Sequence, residues 1–285
     1  MTLILILVVI ILLVCVIGIL CTHSNIFKTF SNKQFPKVIY TYWDDDNIPE
    51  FVHKCMNTWR QFNPDYKINI LNDKILNESF NLEFKSSTPA RKSDYARLAV
   101  LARNGGFWLD ASTICTQSLD WINNIQQETS CEFFGFNAPY FNTNTEIPVI
   151  ESWFLASIPK SKFMNDWYKE FLNVSTYTED SDYVEAKKAQ GIDLQNLGGM
   201  LPYLNIHLSC ITIQQKNPNK YKLSHLNATD GPFKYLQDHE WKDEIAIDRL
   251  CRDVAYRMSM PIIKMRGQER KYIEENPRYM ECLFM

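Results

Sequence analysis

The chain has 285 residues, 46% of them hydrophobic and 22% charged, which is ordinary globular composition with enough apolar mass for a sizeable core. Its formal net charge is -3, and no basic block carries interleaved aromatics, so nucleic acid is excluded as the expected partner. Outside the N-terminal apolar run the cysteines stand at 55, 115, 131, 210, 251 and 282. That wide spacing offers neither a CxxC zinc site nor a dense disulfide scaffold.

Leu3 to Cys21 reads LILILVVIILLVCVIGILC, without a charge. At the rise of an α-helix such a run spans about 28 Å, close to a hydrocarbon core. A cleaved signal peptide would have a shorter apolar region, preceded by positive charge and followed by small residues. Neither flank is present, so residues 1–21 are expected to form one uncleaved transmembrane anchor, with a polar stem over 22–35 and one domain over 36–285. Sidedness stays open. Lys28, Lys33 and Lys37 follow the span and none precedes it, which favours a cytoplasmic body. Asn77-Glu78-Ser79, Asn173-Val174-Ser175 and Asn227-Ala228-Thr229 are glycosylation acceptors, compatible with an ER or Golgi lumenal body.

Pro36 to Trp43 is β-branched and aromatic and predicts a strand, followed by the acidic loop Asp44-Asp45-Asp46. Pro49 to Phe62 predicts a helix, with Phe51, Cys55, Trp59 and Phe62 on one face. Asn63-Pro64-Asp65 stops it, and Tyr66 to Leu71 predicts a second strand. Thr88-Pro89 is a hydroxyl N-cap followed by proline at the first helical position. The helix it opens runs to about Arg103, and Gly105-Gly106 ends it. Phe107-Trp108-Leu109 predicts a short buried strand. Strand, helix, strand, helix, strand is the order of a parallel, nucleotide-binding α/β sheet. Phe133–Phe136 and Ser152–Ser157 predict further strands and Lys162–Leu172 a helix. Beyond about residue 183 the pattern is mixed.

The chemistry concentrates between Ala90 and Ser112. Asp94 and Arg97 are three apart and share a helix face. Taken alone they could be a surface ion pair. Asp110 leaves the carboxyl end of a strand, where open α/β sheets place ligands. Taken alone it could be a strand-end cap. A carboxylate there can hold a divalent cation against a diphosphate and so neutralise a leaving group.

The sequence Ser93-Asp94-Tyr95-Ala96-Arg97, then Gly105-Gly106-Phe107-Trp108-Leu109-Asp110, resembles the signature of the family 32 glycosyltransferases with a DXD motif and of the related capsular polysaccharide synthesis proteins. Flanking blocks are similar in order: Pro36-Lys37-Val38-Ile39-Tyr40 with Trp43, Trp59-Arg60 with Asn63-Pro64-Asp65-Tyr66, Glu151 to Ala156, and Asp230-Gly231-Pro232-Phe233. The resemblance covers about Pro36 to Gly267. It implies a GT-A-like nucleotide-sugar-binding fold, with a mixed, mainly parallel central sheet flanked by helices. It implies a transferase that moves a hexosyl group from a UDP- or GDP-sugar to a glycan, glycolipid or other hydroxyl acceptor, with retention of configuration and Mn²⁺ or Mg²⁺ as cofactor.

By matching position the resemblance makes Asp94, Arg97 and Asp110 the catalytic group. Tyr42, Trp43, Gly106 and Ser112 join them in holding the donor. Apart from the resemblance, Glu151 enters a strand beside Trp153 and could face the acceptor, with Trp153 and Phe154 alternatively core and Phe154 expected there. Asp110 and the distal Asp230, alternatively the turn residue of Asp230-Gly231-Pro232, are the metal candidates. His225 and His239 are possible reserves behind Asp230, while His207 reads as a core or surface histidine. One departure matters: Asp110-Ala111-Ser112 lacks the second carboxylate of the Asp-x-Asp motif. The capsular branch commonly has this form, but it puts direct metal coordination in question. It also motivates an alternative, a nucleotide-sugar-binding pseudoenzyme. A phosphotransferase with a nucleophilic Asp110 would want a nearby general acid, which this motif does not supply. A plain tethered interaction domain would leave the ordered blocks unexplained.

Overall fold

A computed structural model describes residues 34–82 and 88–284. The expected anchor at 1–21, and the stem up to residue 33, lie outside the described residues. Among those described, no helix is long and apolar enough to cross a membrane. The compact unit opens at Phe35, one residue before the expected boundary, with its ring buried edge-on against Phe107.

The first third follows the expected order with one addition. Strand β1 (Val38–Tyr42), helix α1 (Glu50–Phe62) and strand β2 (Lys67–Leu71) are followed by helix α2 (Asp73–Phe80), which the apolar pattern did not announce. Its start is local chemistry, since the Asn72 side chain accepts the Ile75 N–H at 2.9 Å. Helix α3 (Pro89–Asn104) begins where predicted: Thr88 Oγ1 accepts the Arg91 N–H and proline occupies the first turn. Gly105 closes α3 and strand β3 (Gly106–Leu109) follows.

Strands β4 (Thr113–Cys115), β5 (Phe133–Asn137) and β6 (Ile150–Ser157) are interleaved with helix α4 (Asp120–Thr129). Helices α5 (Lys162–Leu172), α6 (Asp180–Ala189) and α7 (Asn205–Lys216) come next, then strand β7 (Leu223–Asn227). The last segment holds short helices α8 (Lys234–Gln237), α9 (Asp243–Arg252) and α10 (Val254–Met258), strand β8 (Ile262–Lys264), and helices α11 (Gly267–Glu275) and α12 (Pro277–Leu283). Cys251 and Cys282 form a disulfide that ties α9 to α12, while Cys55, Cys115, Cys131 and Cys210 are free and buried.

The main sheet has six strands in the order β2-β1-β3-β6-β5-β7. β1 is parallel to β2 and β3, β5 is parallel to β7, and β6 alone runs against its neighbours β3 and β5. This is the mixed, mainly parallel α/β sheet expected. Alternate side chains leave opposite faces of a strand. Ile39, Phe107, Leu109 and Phe154 therefore join one core, with α1, α9, α11 and α12. Tyr40, Trp108 and Leu155 join the other, with α3, α5 and α7. A second small sheet pairs β4 with β8 antiparallel, Thr113 opposite Lys264. That pairing lashes the C-terminal segment to the chain just beyond Asp110.

Gly105 and Gly106 are needed for more than stopping a helix. Both have positive φ, 64° and 98°. A Cβ on Gly106 would stand 2.7 Å from the Val38 carbonyl oxygen, which belongs to the neighbouring strand's backbone and cannot swing aside. Gly106→Ala is therefore expected to lower stability by about 1–3 kcal/mol, read by urea unfolding. A loss within error would show that β1 and β3 can part without cost.

Candidate active site

Parallel strands β1 and β3 end at the same edge of the sheet, and the antiparallel β6 begins there. A cleft of about 930 Å³ opens over that edge. Thr41 and Tyr42 end β1 in it with Trp43 and Asp44 following, Asp110 to Ser112 follow β3, and Glu151 to Trp153 enter from β6. Asp94 and Arg97 face it from α3, with Leu204 and His207 beyond them. The C-terminal segment contributes Phe233, Trp241, Lys264, Arg266 and Arg270.

On the floor of the cleft lies the Arg97 guanidinium, with only 6% of its side chain exposed. It stands 3.3 Å from Asp110 Oδ1 and 3.5 Å from Asp94 Oδ1. Arg97 Nη1 donates to Ser152 Oγ at 2.7 Å, Nη2 to Ser93 Oγ at 2.8 Å, and Nε to the Ser93 carbonyl at 3.2 Å. The guanidinium also lies 5.2 Å from the Trp108 ring. Trp108 Nε1 in turn donates to Asp110 Oδ1 at 2.9 Å. Thus the helix pair Asp94–Arg97 is no solvated surface pair: α3 is packed on the sheet and delivers both charges to the strand end. Burial pushes the Asp94 carboxyl above its usual range, against the pull of Arg97, Arg91 and His207.

Asp110 meets a second cation that the sequence reading passed over. Lys264 Nζ is 3.6 Å from Asp110 Oδ2 and donates to Ser112 Oγ at 2.7 Å. Ser112 Oγ donates onward to the Met265 carbonyl at 2.8 Å. Lys264 is 8% exposed. Burial pulls its ammonium below the usual lysine range, and Asp110 opposes that fall. Lysine at the end of an ordinary apolar strand gave no sequence signal. Its role depends on the β4–β8 pairing, which joins positions far apart in the chain.

The remaining expected residues divide. Tyr42, Trp43, Glu151 and Trp153 line the cleft. Tyr42 is tethered there by its hydroxyl, which donates to Asp73 at 2.6 Å. Trp153 stacks on Phe136 at 5.4 Å, and Phe154 is core, as expected. Glu151 accepts the Tyr140 hydroxyl and has His207 Nε2 at 3.9 Å. His207 is therefore a cleft residue, contrary to expectation. Gly106 is not: it is buried between β1 and the helix end, and its role is backbone geometry. Asp230 is also misplaced by the sequence reading. It sits exposed after β7, accepts the Asn227 amide at 2.8 Å and does not line the cleft. His225 pairs with Asn137, and His239 with the Tyr235 carbonyl, both outside the cleft.

A Mn²⁺ or Mg²⁺ ion fits this donor set poorly. Such ions want several oxygen ligands, carboxylates foremost. Asp110 already faces Arg97 and Lys264, the Ser112 hydroxyl is engaged on both sides, and Asp230 is elsewhere. Among the described residues no three His, Cys, Asp or Glu side chains gather to hold a metal. The cleft instead has unpaired polar atoms for an organic ligand. Thr41 Oγ1, Trp43 Nε1, Trp153 Nε1 and His207 Nδ1 are buried without a hydrogen-bond partner, and all four residues line it.

Residues 21–186 match the capsular polysaccharide synthesis protein family. Over 116 residues the chain is 30% identical to the initiation-specific alpha-1,6-mannosyltransferase of Candida albicans, covering 35% of this chain and 30% of that protein. The chain thus spans less than a third of the length of that curated relative. Solved structures it resembles include the glycosyltransferase GlyE of Streptococcus pneumoniae TIGR4, at 12% identity and TM-score 0.48 over 88% of this chain and 61% of that one. Another is the galactosyltransferase LgtC in complex with donor and acceptor sugar analogues, at 12% identity and TM-score 0.43 over 86% and 95%.

Arg97→Met would leave Asp94 and Asp110 facing each other's charge without their bridge. The expected loss of stability at pH 7 is about 1–3 kcal/mol. The sign with pH follows from Asp94, whose carboxyl burial already raises. Removing the cation raises it further, so the penalty is complete above that raised value and fades as pH falls through it. Urea unfolding at neutral and acid pH checks this. A penalty that does not shrink in acid would mean that Arg97 acts through packing and not through charge.

Proposed function

Because this chain belongs to the capsular polysaccharide synthesis protein family, we propose that it is a glycosyltransferase, which moves a hexosyl group from a UDP- or GDP-sugar to a hydroxyl of a glycan or glycolipid. The observation that carries this reading is the convergence of Asp94, Arg97 and Asp110 at the carboxyl ends of β1 and β3, on the floor of one large cleft. That edge is where parallel α/β sheets bind nucleotides. The stretch shared with a mannosyltransferase supports a hexose as the transferred sugar.

Each group has work suited to its chemistry. The Asp94 and Asp110 carboxylates accept hydrogen bonds from donor hydroxyls. Arg97 holds both carboxylates at fixed separation, so positioning requires no reorganisation when the substrate arrives. Trp43 and Trp153 line the cleft with buried, unpaired N–H groups, and the partly exposed Trp43 ring suits a base or a sugar ring. Glu151, with Tyr140 and His207, lies on the acceptor side. Transfer with retention proceeds by attack of the acceptor oxygen on the face that the diphosphate leaves. The C1–O bond to phosphate breaks, the new glycosidic bond forms, and the acceptor proton passes to the departing phosphate oxygen. No protein nucleophile and no divalent ion take part in these steps.

We further propose that the apolar run Leu3–Cys21 anchors the enzyme in a membrane with its body in an oxidising compartment. The Cys251–Cys282 disulfide supports that side. So does the exposure of Asn77, Asn173 and Asn227, all three acceptor asparagines. Protein recovered from its native host should shift in mass on deglycosylation and, denatured without reductant, should have only four body cysteines blocked by a thiol reagent. An unglycosylated body with six reactive thiols would put it in the cytoplasm.

A screen of UDP- and GDP-sugars, read by thermal stabilisation and by slow donor hydrolysis, tests the activity. One donor is expected to bind and be hydrolysed. Asp94→Asn is expected to cut its turnover at least about 100-fold while leaving the fold intact. Binding of a donor without any turnover would instead favour a nucleotide-sugar-binding pseudoenzyme, and no binding by folded protein would refute both.

A further inference from the structure

We propose that the Lys264 ammonium takes the place of the divalent cation, so that transfer by this enzyme is independent of metal. The proposal rests on the glycosyltransferase reading and concerns the same cleft. An Asp-x-Asp motif places carboxylates at its first and third residues. Here those residues are Asp110 and Ser112, and the ion that touches both is Lys264, at 3.6 Å from Asp110 Oδ2 and 2.7 Å from Ser112 Oγ. An aspartate at 112 would bring a second carboxylate against the ammonium. Serine accepts a hydrogen bond from it without adding charge. Serine at 112 thus leaves Lys264 with a neutral partner beside Asp110, a positive point charge built into the chain.

The ammonium is held in position from several directions. Its residue is paired with Thr113 through β8 and β4. The Lys264 N–H donates to the Pro232 carbonyl at 3.2 Å, and the Lys264 carbonyl accepts the Tyr235 hydroxyl at 2.9 Å. Met265 N–H donates to the Ser112 carbonyl at 3.1 Å. Nearby cations differ in what they can still do. Arg266 is committed to Glu269 and Asp243. Arg270 lines the cleft and forms no ion pair among the described residues, so it is available to a second phosphate. Lys264 and Arg270 then supply the positive charge that a diphosphate leaving group needs.

The reaction balances without a metal. The bond from the sugar C1 to the β-phosphate oxygen breaks, and its electron pair stays on that oxygen. The acceptor oxygen bonds to C1, and the acceptor proton leaves on the nucleoside diphosphate. Lys264 forms no covalent bond and transfers no proton. It lowers the energy of the charge that appears on the departing phosphate, from a side chain that is itself largely shielded from water.

The test uses the full chain in detergent, stripped by exhaustive chelation and checked for residual metal, with the donor found above. Turnover of the native protein is expected to stay within about twofold of its value with added Mn²⁺ or Mg²⁺. Lys264→Met is expected to lose at least about 100-fold in kcat, unrestored by either ion. Lys264→Arg, which keeps the charge, is expected to recover part of that loss. Circular dichroism melting establishes that each variant is folded. Should Lys264→Met not fold, the chelated native protein and Lys264→Arg still decide the matter. Activity abolished by chelation and restored by Mn²⁺ would overturn the proposal, as would a folded Lys264→Met with native turnover. If no donor is turned over with or without metal, the transferase reading fails separately. Calorimetry with UDP and GDP then decides for Lys264: metal-free binding that Lys264→Met abolishes upholds its role, and binding only with metal, or none, ends it.

Discussion

The constraint on which the site depends is the burial of one guanidinium. Arg97 fastens together, at one point, three elements that strand pairing and the core already bring side by side: α3 through Ser93 and Asp94, β3 through Trp108 and Asp110, and β6 through Ser152. A buried cation is costly unless its hydrogen bonds and counter-charges are all supplied. Here they are supplied by the residues that a ligand would meet. Stability and site geometry are therefore one problem in this fold, and the planar fork of arginine suits it in a way that a lysine would not.

Strand direction does the rest of the assembly. Were β6 parallel to its neighbours, its first residues would lie at the far edge of the sheet. Because it runs the other way, Glu151, Ser152 and Trp153 arrive beside Asp110, whose N–H donates to the Trp153 carbonyl at 2.9 Å. One wall of the cleft is thus built from strand ends, and the opposite wall from a strand beginning. The two walls share a hydrogen-bonded seam.

Much of this was legible in the residues, where the signals were local. The Thr88-Pro89 cap, the Gly105-Gly106 stop and the apolar run of β3 each act within a few residues, so α3 and β3 could be placed and Asp94, Arg97 and Asp110 brought to one edge. The Asn72 cap of α2 was equally local but lay beneath a weakly apolar helix. Gly106 was read as part of the site because it belongs to the motif, yet its φ of 98° serves the packing of β1 on β3. Asp230 follows in motif order and does leave the same sheet edge, but order along a chain does not reveal that β7 is the outermost strand, which carries Asp230 to one side of the cleft. Lys264 and His207 were not legible at all. Each becomes a site residue only through pairing or packing between distant segments, and neither stands in a pattern that a short window can recognise.

Lys264 has a consequence for how the protein comes into being. It is separated from Ser112 by 152 positions, so the ribosome delivers Asp94, Arg97 and Asp110 long before it delivers the balancing ammonium. Until β8 closes on β4, two carboxylates face one guanidinium, and the half-built cleft repels anions. On the role proposed for Lys264, the charge of the cleft is completed by residues far along the chain, so the chemistry waits on the pairing of β4 with β8.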